Sequence, residues 1–246
     1  MSIKVITIDF WNTLFDSSFG TERNAFRQQA LLSEIEKLNK NISDEEFAVA
    51  LKASWKYFDT IWKSEMRTPM PIDTVEFFWN YLKLPYDDLA IDNIVNAFGD
   101  SVIRIPPNVI DGVNDALEIL SKKYQLAIIS DTGFSPGTTL RVLLNQNGLL
   151  HYFNAFSFSD ETGVAKPHPK AYHHIFNELN VVPEECIHIG DIEQTDIVGA
   201  KGLGMKAIRF SGDPTASLNK ANPQISLADK DCYSWREIVE FIDGID

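Results

Sequence analysis

Three short apolar runs in this 246-residue chain end on side chains that can do chemistry. "VITID" closes on Asp9, "QLAIISD" on Ser130 and Asp131, and "CIHIGD" on Gly190 and Asp191, with Asp196 following in "GDIEQTD". A single Asp at a strand end is commonly a turn or cap residue. Several of them carry more weight, because ligands of an open parallel sheet bind in the crevice beyond the carboxyl ends of its strands, where these groups would converge. A carboxylate can attack an electrophile such as a phosphoryl group once the repulsion between the two anions is cancelled. Lys166, in "GVAKPHP", supplies positive charge.

The elements that must position these residues follow from hydrophobic period. "IKVITID", "QLAIISD", "AFSFSD", "CIHIGD" and "MKAIRF" are continuous apolar runs, the pattern of parallel strands buried on both faces. Between them, "VNDALEIL" puts Val113, Ala116, Leu117 and Leu120 on one helical face, and "AYHHIFNEL" does so with Tyr172, Ile175, Phe176 and Leu179. A last helix opens at Ser234 with Glu237 at capping-box spacing, after Asp229 to Tyr233 bring the chain back across the fold. Residues 17–107 differ: they show no strand-like run, and their period is helical throughout. Leu31, Ile35 and Leu38 mark one helix; Phe47, Leu51, Ser54, Phe58 and Ile61, begun by Ser43 and Glu46, a second; Val75, Phe78 and Leu82 a third. "RIPPN" at 104–108 is the return linker, since its prolines break a helix. The expected architecture is α/β: a Rossmann-like parallel-sheet core over 1–16 and 108–246, with an inserted all-helical domain over 17–107.

Composition excludes several function classes. A formal net charge of -13 leaves no clustered Lys and Arg for a nucleic-acid footprint. No apolar segment approaches a membrane span, and the start of the chain lacks a basic leader, so a cytoplasmic location is expected. Cys186 and Cys232 are not in a CxxC and read as free thiols. The five histidines show no metal spacing, and "GAKGLG" lies within the helical stretch after the acidic motif, so it is not a dinucleotide fingerprint.

Four motifs together resemble the haloacid dehalogenase-like (HAD) hydrolases, in that family's order and across nearly the whole chain. "DFWNTL" is similar to the nucleophile loop, at Asp9 and Thr13; "AIIS" to the Ser or Thr motif, at Ser130; "KPHP" to the family lysine, at Lys166; and "GDIEQTDIVGAKGLGM" to the acidic motif, at Asp191 and Asp196. The resemblance implies the HAD Rossmann-like core with a helical cap inserted after the first strand. It also implies an aspartyl-phosphate on Asp9, with Thr13 supporting the loop, Ser130 bonding the transferring group and Lys166 offsetting charge. Mg²⁺ suits oxygen ligands, and the implied set is Asp9, the carbonyl of Trp11, Asp191, and Asp196 directly or through water.

Trp11 departs from the family pattern. Family phosphatases usually carry an Asp two residues after the nucleophile, which protonates the leaving oxygen; indole has one N–H and nothing that titrates near neutral pH. The family's dehalogenases carry a Tyr there and attack carbon without Mg²⁺, but they lack the "GD" form of the acidic motif. Asp131 also departs, standing where Asn is frequent. Trp11, Ser130, Asp131 and Lys166 are the candidate substrate-binding residues, joined from the helical insertion by Arg67. Trp55, Trp62 and Trp79 could line the same face, although aromatic residues at helical spacing are usually core. The leading expectation is a Mg²⁺-dependent hydrolase of a small phosphorylated metabolite, monomeric or homodimeric. The alternatives are a 2-haloacid dehalogenase and a non-catalytic phosphate-binding protein that keeps the metal site.

Overall fold

The computed structural model describes residues 2–245. In chain order, β1 (Val5–Ile8) is followed by α1 (Gly20–Lys37), α2 (Asp44–Glu65), α3 (Pro71–Tyr81) and α4 (Asp88–Arg104). Next come α5 (Val113–Leu120), β2 (Gln125–Ser130), α6 (Gly137–Gln146), β3 (Phe153–Phe158), α7 (Ser159–Thr162) and α8 (Pro169–Leu179). The chain continues through β4 (Cys186–Gly190), α9 (Val198–Gly202), β5 (Lys206–Phe210), β6 (Lys230–Cys232) and α10 (Trp235–Ile245). It divides into two compact units: Met1–Ser18, Pro107–Asp131 and Leu144–Asp246 in the first, Phe19–Pro106 and Thr132–Leu143 in the second.

The first unit is built on a six-stranded sheet of order β3-β2-β1-β4-β5-β6, parallel at every pairing. β1 lies in the middle, with Thr7 opposite Ala127 on one side and His188 on the other. Strand period then assigns the faces. Val5, Ala127, Ile129, Ala155, Cys186 and Ala207 pack with Tyr172, Ile175 and Phe176 of α8 and with Ala200 of α9. Ile6, Ile8, Ile128, Ile187, Ile189 and Ile208 alternate with them and are buried too. The five strand-like runs of the sequence are β1 to β5. The sequence does not predict β6 as a strand: "KDC" is too short and polar to show a period, and it pairs through Asp231 opposite Arg209. Cys186 and Cys232 are both free and buried.

The second unit packs α1 on α4, α2 on α3 and α3 on α4. Leu31, Ile35, Phe47, Val75 and Phe78, all on the predicted helical faces, meet in its core. α2 begins on the predicted capping box, with Ser43 accepting from the Glu46 N–H and Glu46 from the Ser43 N–H. α4 is a fourth helix that the periodic positions did not single out, although Ala90, Ile91, Ile94, Phe98 and Val102 form its buried stripe. Trp79 is fully buried, and its indole N–H donates to the Pro85 carbonyl, which makes it core. Among the described residues no helix is long and apolar enough to cross a membrane.

α10 also reaches the start of the chain. Trp235 is fully buried, and its indole N–H donates to the carbonyl of Thr13 at 2.9 Å. Trp235→Phe keeps an aromatic ring but orphans that buried acceptor, so it is expected to lower stability by about 1–3 kcal/mol in urea unfolding.

Candidate active site

Asp9 is the first residue beyond β1, and its N–H donates to the Ile189 carbonyl of β4. The loop after it is tightly held. The Asn12 N–H donates to the Phe15 carbonyl, and Leu14 and Phe15 both donate to Phe10. Asn12 takes a left-handed conformation at φ 56, which Asn tolerates better than most residues. Phe10 stacks on Phe15, and Trp11 packs edge-on against Phe10 with ring centroids 5.1 Å apart. Trp11 stays half-buried on this loop.

Lys166 is buried between two carboxylates, 2.5 Å from Asp9 Oδ1 and 2.6 Å from Asp196 Oδ1. Burial opposes its charge, yet Asp196 and Asp9 together hold its pKa well above the ordinary lysine value. The Asp131 carboxylate accepts from the backbone N–H of Lys166 at 2.9 Å, so the unexpected Asp fixes the lysine loop. Ser130 ends β2 with its hydroxyl buried and unpartnered, and the Thr13 hydroxyl is in the same condition.

Asp191 and Asp196 behave differently despite their shared motif. Asp196 Oδ1 takes Lys166 and His188, while Oδ2 takes the Ile192 N–H at 2.9 Å and the Thr195 hydroxyl at 3.3 Å. That fills its acceptor capacity. Burial works against its charge, but Lys166 and His188 hold its pKa below the usual carboxylate range. Asp191 Oδ2 is buried with no hydrogen-bond partner. Burial, then repulsion from Asp9 and Asp196, pushes its pKa well up. Burial likewise raises Asp9 to about 7, with Lys166 only partly offsetting it and Asp196 adding to it.

One ligand atom from each of Asp9, Asp191 and Asp196 lies within 4.8 Å of the others. The donors are all oxygen, the preference of a hard divalent cation. The partnerless Asp191 oxygen is what such an ion would satisfy, since a buried carboxylate oxygen left alone is costly. The residues present therefore fit a cation.

Beneath the cluster lies a polar chain that motif spacing does not reveal. Thr7 Oγ1 is 2.8 Å from His188 Nδ1, and His188 Nε2 is 3.1 Å from Asp196 Oδ1, all fully buried or nearly so. An ionised carboxylate only accepts, so Nε2 carries a proton. Burial keeps the His188 pKa below its usual value, which favours the neutral ring, and Nδ1 of that ring is an acceptor facing the Thr7 hydroxyl. Tyr172 packs edge-on against His188 and donates to the Thr195 carbonyl at 2.9 Å. Asn222 donates to the Asp191 carbonyl and accepts from the Glu193 N–H, tying a distant loop to the acidic turn. The available signal was a polar residue inside a fully buried strand, as with His188 in "CIHIG", because such a residue needs a partner. Arg67 lies in the second unit, where it pairs with Asp73 at 3.1 Å and Glu65 at 3.6 Å; Trp62 there is half-buried.

Residues 3–204 match the family model of the haloacid dehalogenase-like hydrolases. The chain is 28% identical over 217 residues to a glyceraldehyde 3-phosphate phosphatase of Pyrococcus furiosus, covering 88% of this chain and 84% of that protein. Among solved structures, an HAD phosphatase from Thermococcus onnurineus superposes with a TM-score of 0.66 at 22% identity, over 98% of this chain and 99% of the other. A 2-haloacid dehalogenase from Pseudomonas syringae pv. tomato gives 0.73 at 20% identity, over 99% and 100%. The fold is common to both.

Gly190 shows how closely the site is packed. A Cβ there would lie 2.4 Å from Asp196 Cγ, whereas one on Gly202 would meet nothing within 4 Å. Gly190→Ala is expected to cost about 1–3 kcal/mol in thermal or urea unfolding, and Gly202→Ala to be neutral or slightly stabilising.

Proposed function

Because the chain belongs to the haloacid dehalogenase-like hydrolases and is an enzyme of that hydrolytic family, we propose that it is a Mg²⁺-dependent phosphatase of a small phosphorylated metabolite, with Asp9 as nucleophile. The observation that carries this reading is the buried group of three carboxylates around one lysine, with an Asp191 oxygen that has no partner. Curated relatives named as phosphatases, including the Pyrococcus protein, support it.

A carboxylate oxygen of Asp9 attacks phosphorus while the bond to the leaving oxygen breaks, giving an aspartyl-phosphate; water then attacks phosphorus, the bond between phosphorus and the Asp9 oxygen breaks, and the water's protons depart on the released phosphate, which returns Asp9 as a carboxylate. Lys166 keeps Asp9 oriented and offsets its charge. The unpartnered Ser130 hydroxyl is available to the phosphoryl oxygens, and Thr13 to the loop. Asp9, Asp191 and the Trp11 carbonyl would hold the cation, which when bound supplies positive charge against the repulsion between carboxylate and phosphate. Asp196, with its acceptors filled, orients Lys166. Trp11 has no proton to give, so the enzyme relies on leaving groups that depart unprotonated.

Trp11 also favours a second reading, 2-haloacid dehalogenation, which the unpartnered Oδ2 of Asp191 opposes. A screen of acetyl phosphate, 4-nitrophenyl phosphate, glycerol 3-phosphate and 2-chloropropionate, each with and without Mg²⁺, separates the readings. Phosphate release that requires Mg²⁺ is expected; halide release without it would overturn the proposal.

Two further outcomes are expected. Asp9→Asn should keep the fold and reduce phosphate release to background, read by a phosphate assay beside circular dichroism. Wild type should favour the activated phosphates over glycerol 3-phosphate by the ~10²–10⁴ that an acid/base group contributes. Equal rates on both would show that another residue supplies the proton.

A further inference from the structure

The helical unit contains a cleft lined by Arg27, Leu31, Leu51, Trp55, Phe98 and Phe134, among others. Its walls are mostly apolar, and Arg27 is its one charged lining residue. The guanidinium of Arg27 donates through Nε to Ser101 Oγ at 3.0 Å and through Nη1 to Asn24 Oδ1 at 3.0 Å, both neutral acceptors. It lies 4.9 Å from the ring centroid of Phe134 and 6.0 Å from that of Phe98. Among the described residues no carboxylate pairs with it. Burial, with Arg23 adding like charge, draws its pKa down to about 10, so it stays protonated at neutral pH without a counterion.

A charge withdrawn from water without an ionic partner is normally costly. Of the five N–H donors on a guanidinium, those two bonds use only part. Thr74 lines the same cleft with a buried hydroxyl oxygen that has no partner. Such a surface lacks one negative charge, an acceptor for the arginine fork and an apolar body. One guanidinium balances a monoanion, and its planar fork matches a carboxylate.

We infer that this cleft is a binding site for a short-chain aliphatic carboxylate, with the carboxylate on Arg27 and the chain against Leu31, Leu51 and Phe98. The inference stands on the helical unit alone and does not rest on the phosphatase reading.

Isothermal titration of the full chain with hexanoate tests it, with hexanamide as the uncharged match. Hexanoate should bind saturably and about tenfold or more tighter than hexanamide, because a charge-assisted bond is roughly twice as strong as a neutral one. Arg27→Gln should lose that preference while its circular dichroism spectrum is retained. Should that variant fail to fold, Leu51→Phe, which narrows the cleft and keeps the charge, must weaken hexanoate binding instead. Equal binding of hexanoate and hexanamide, no saturable binding, or hexanoate binding altered by Asp9→Asn and unaffected by Arg27→Gln would each overturn the inference. The last result would place the carboxylate at the strand ends, whatever the outcome of the phosphatase assays.

Discussion

The structure depends on an imbalance of buried charge. Asp9, Asp191 and Asp196 are all withdrawn from water around one ammonium, Lys166. Lys166 divides its bonds between Asp9 and Asp196 and leaves Asp191 outside the pairing. Removing charges from water is costly, and only close, well-directed partners offset it. The fold supplies such partners for Asp196 in full, for Asp9 in part and for one Asp191 oxygen not at all. The residual demand for positive charge is therefore concentrated between Asp9 and Asp191.

The same imbalance accounts for the surrounding architecture. A parallel sheet brings the ends of β1, β2 and β4 together without any of them being adjacent in sequence. A π-helical turn over Glu193–Ile197 aims Asp196 back at Lys166, and such turns recur at functional sites because they redirect a side chain out of helical register. The missing side chain of Gly190 makes room for it. Below, Thr7 and His188 hold one oxygen of the carboxylate from within the sheet. The packing of this turn and the geometry of the charge cluster are set by the same few contacts.

Much of this was legible in the sequence, for physical reasons that differ by residue. Strands buried on both faces must be apolar, so β1 to β5 stood out, and Asp9, Ser130 and Asp191 stood out as the polar residues that end them. Ser43 and Glu46 announced α2 because capping is local. β6 did not stand out, since three residues carry no period and the pairing to β5 is tertiary. The chain Thr7–His188–Asp196 spans β1, β4 and the acidic turn, and its register appears only when the strands are paired. Sequence spacing puts Asp191 and Asp196 in one acidic motif and leaves open whether Asp196 binds directly or through water; hydrogen bonds from Ile192, Thr195, His188 and Lys166 separate them. The lone charge of Arg27 was equally hidden, because having no ionic partner is a property of the packed helices.

The bond from Trp235 to the Thr13 carbonyl joins residues 222 positions apart. The loop after Asp9 is therefore fastened by a segment synthesised long after it. Its strand, β1, waits in the same way for β2 and β4, because neither neighbour is local. Contacts of such long sequence separation form late and slow folding, since loop closure precedes any gain from the contact. A nascent chain holding Asp9 and the whole helical unit thus lacks Lys166, the β4 carbonyl that takes the Asp9 N–H, and Trp235, so the loop after Asp9 reaches its final contacts only after β4 and α10 have been added.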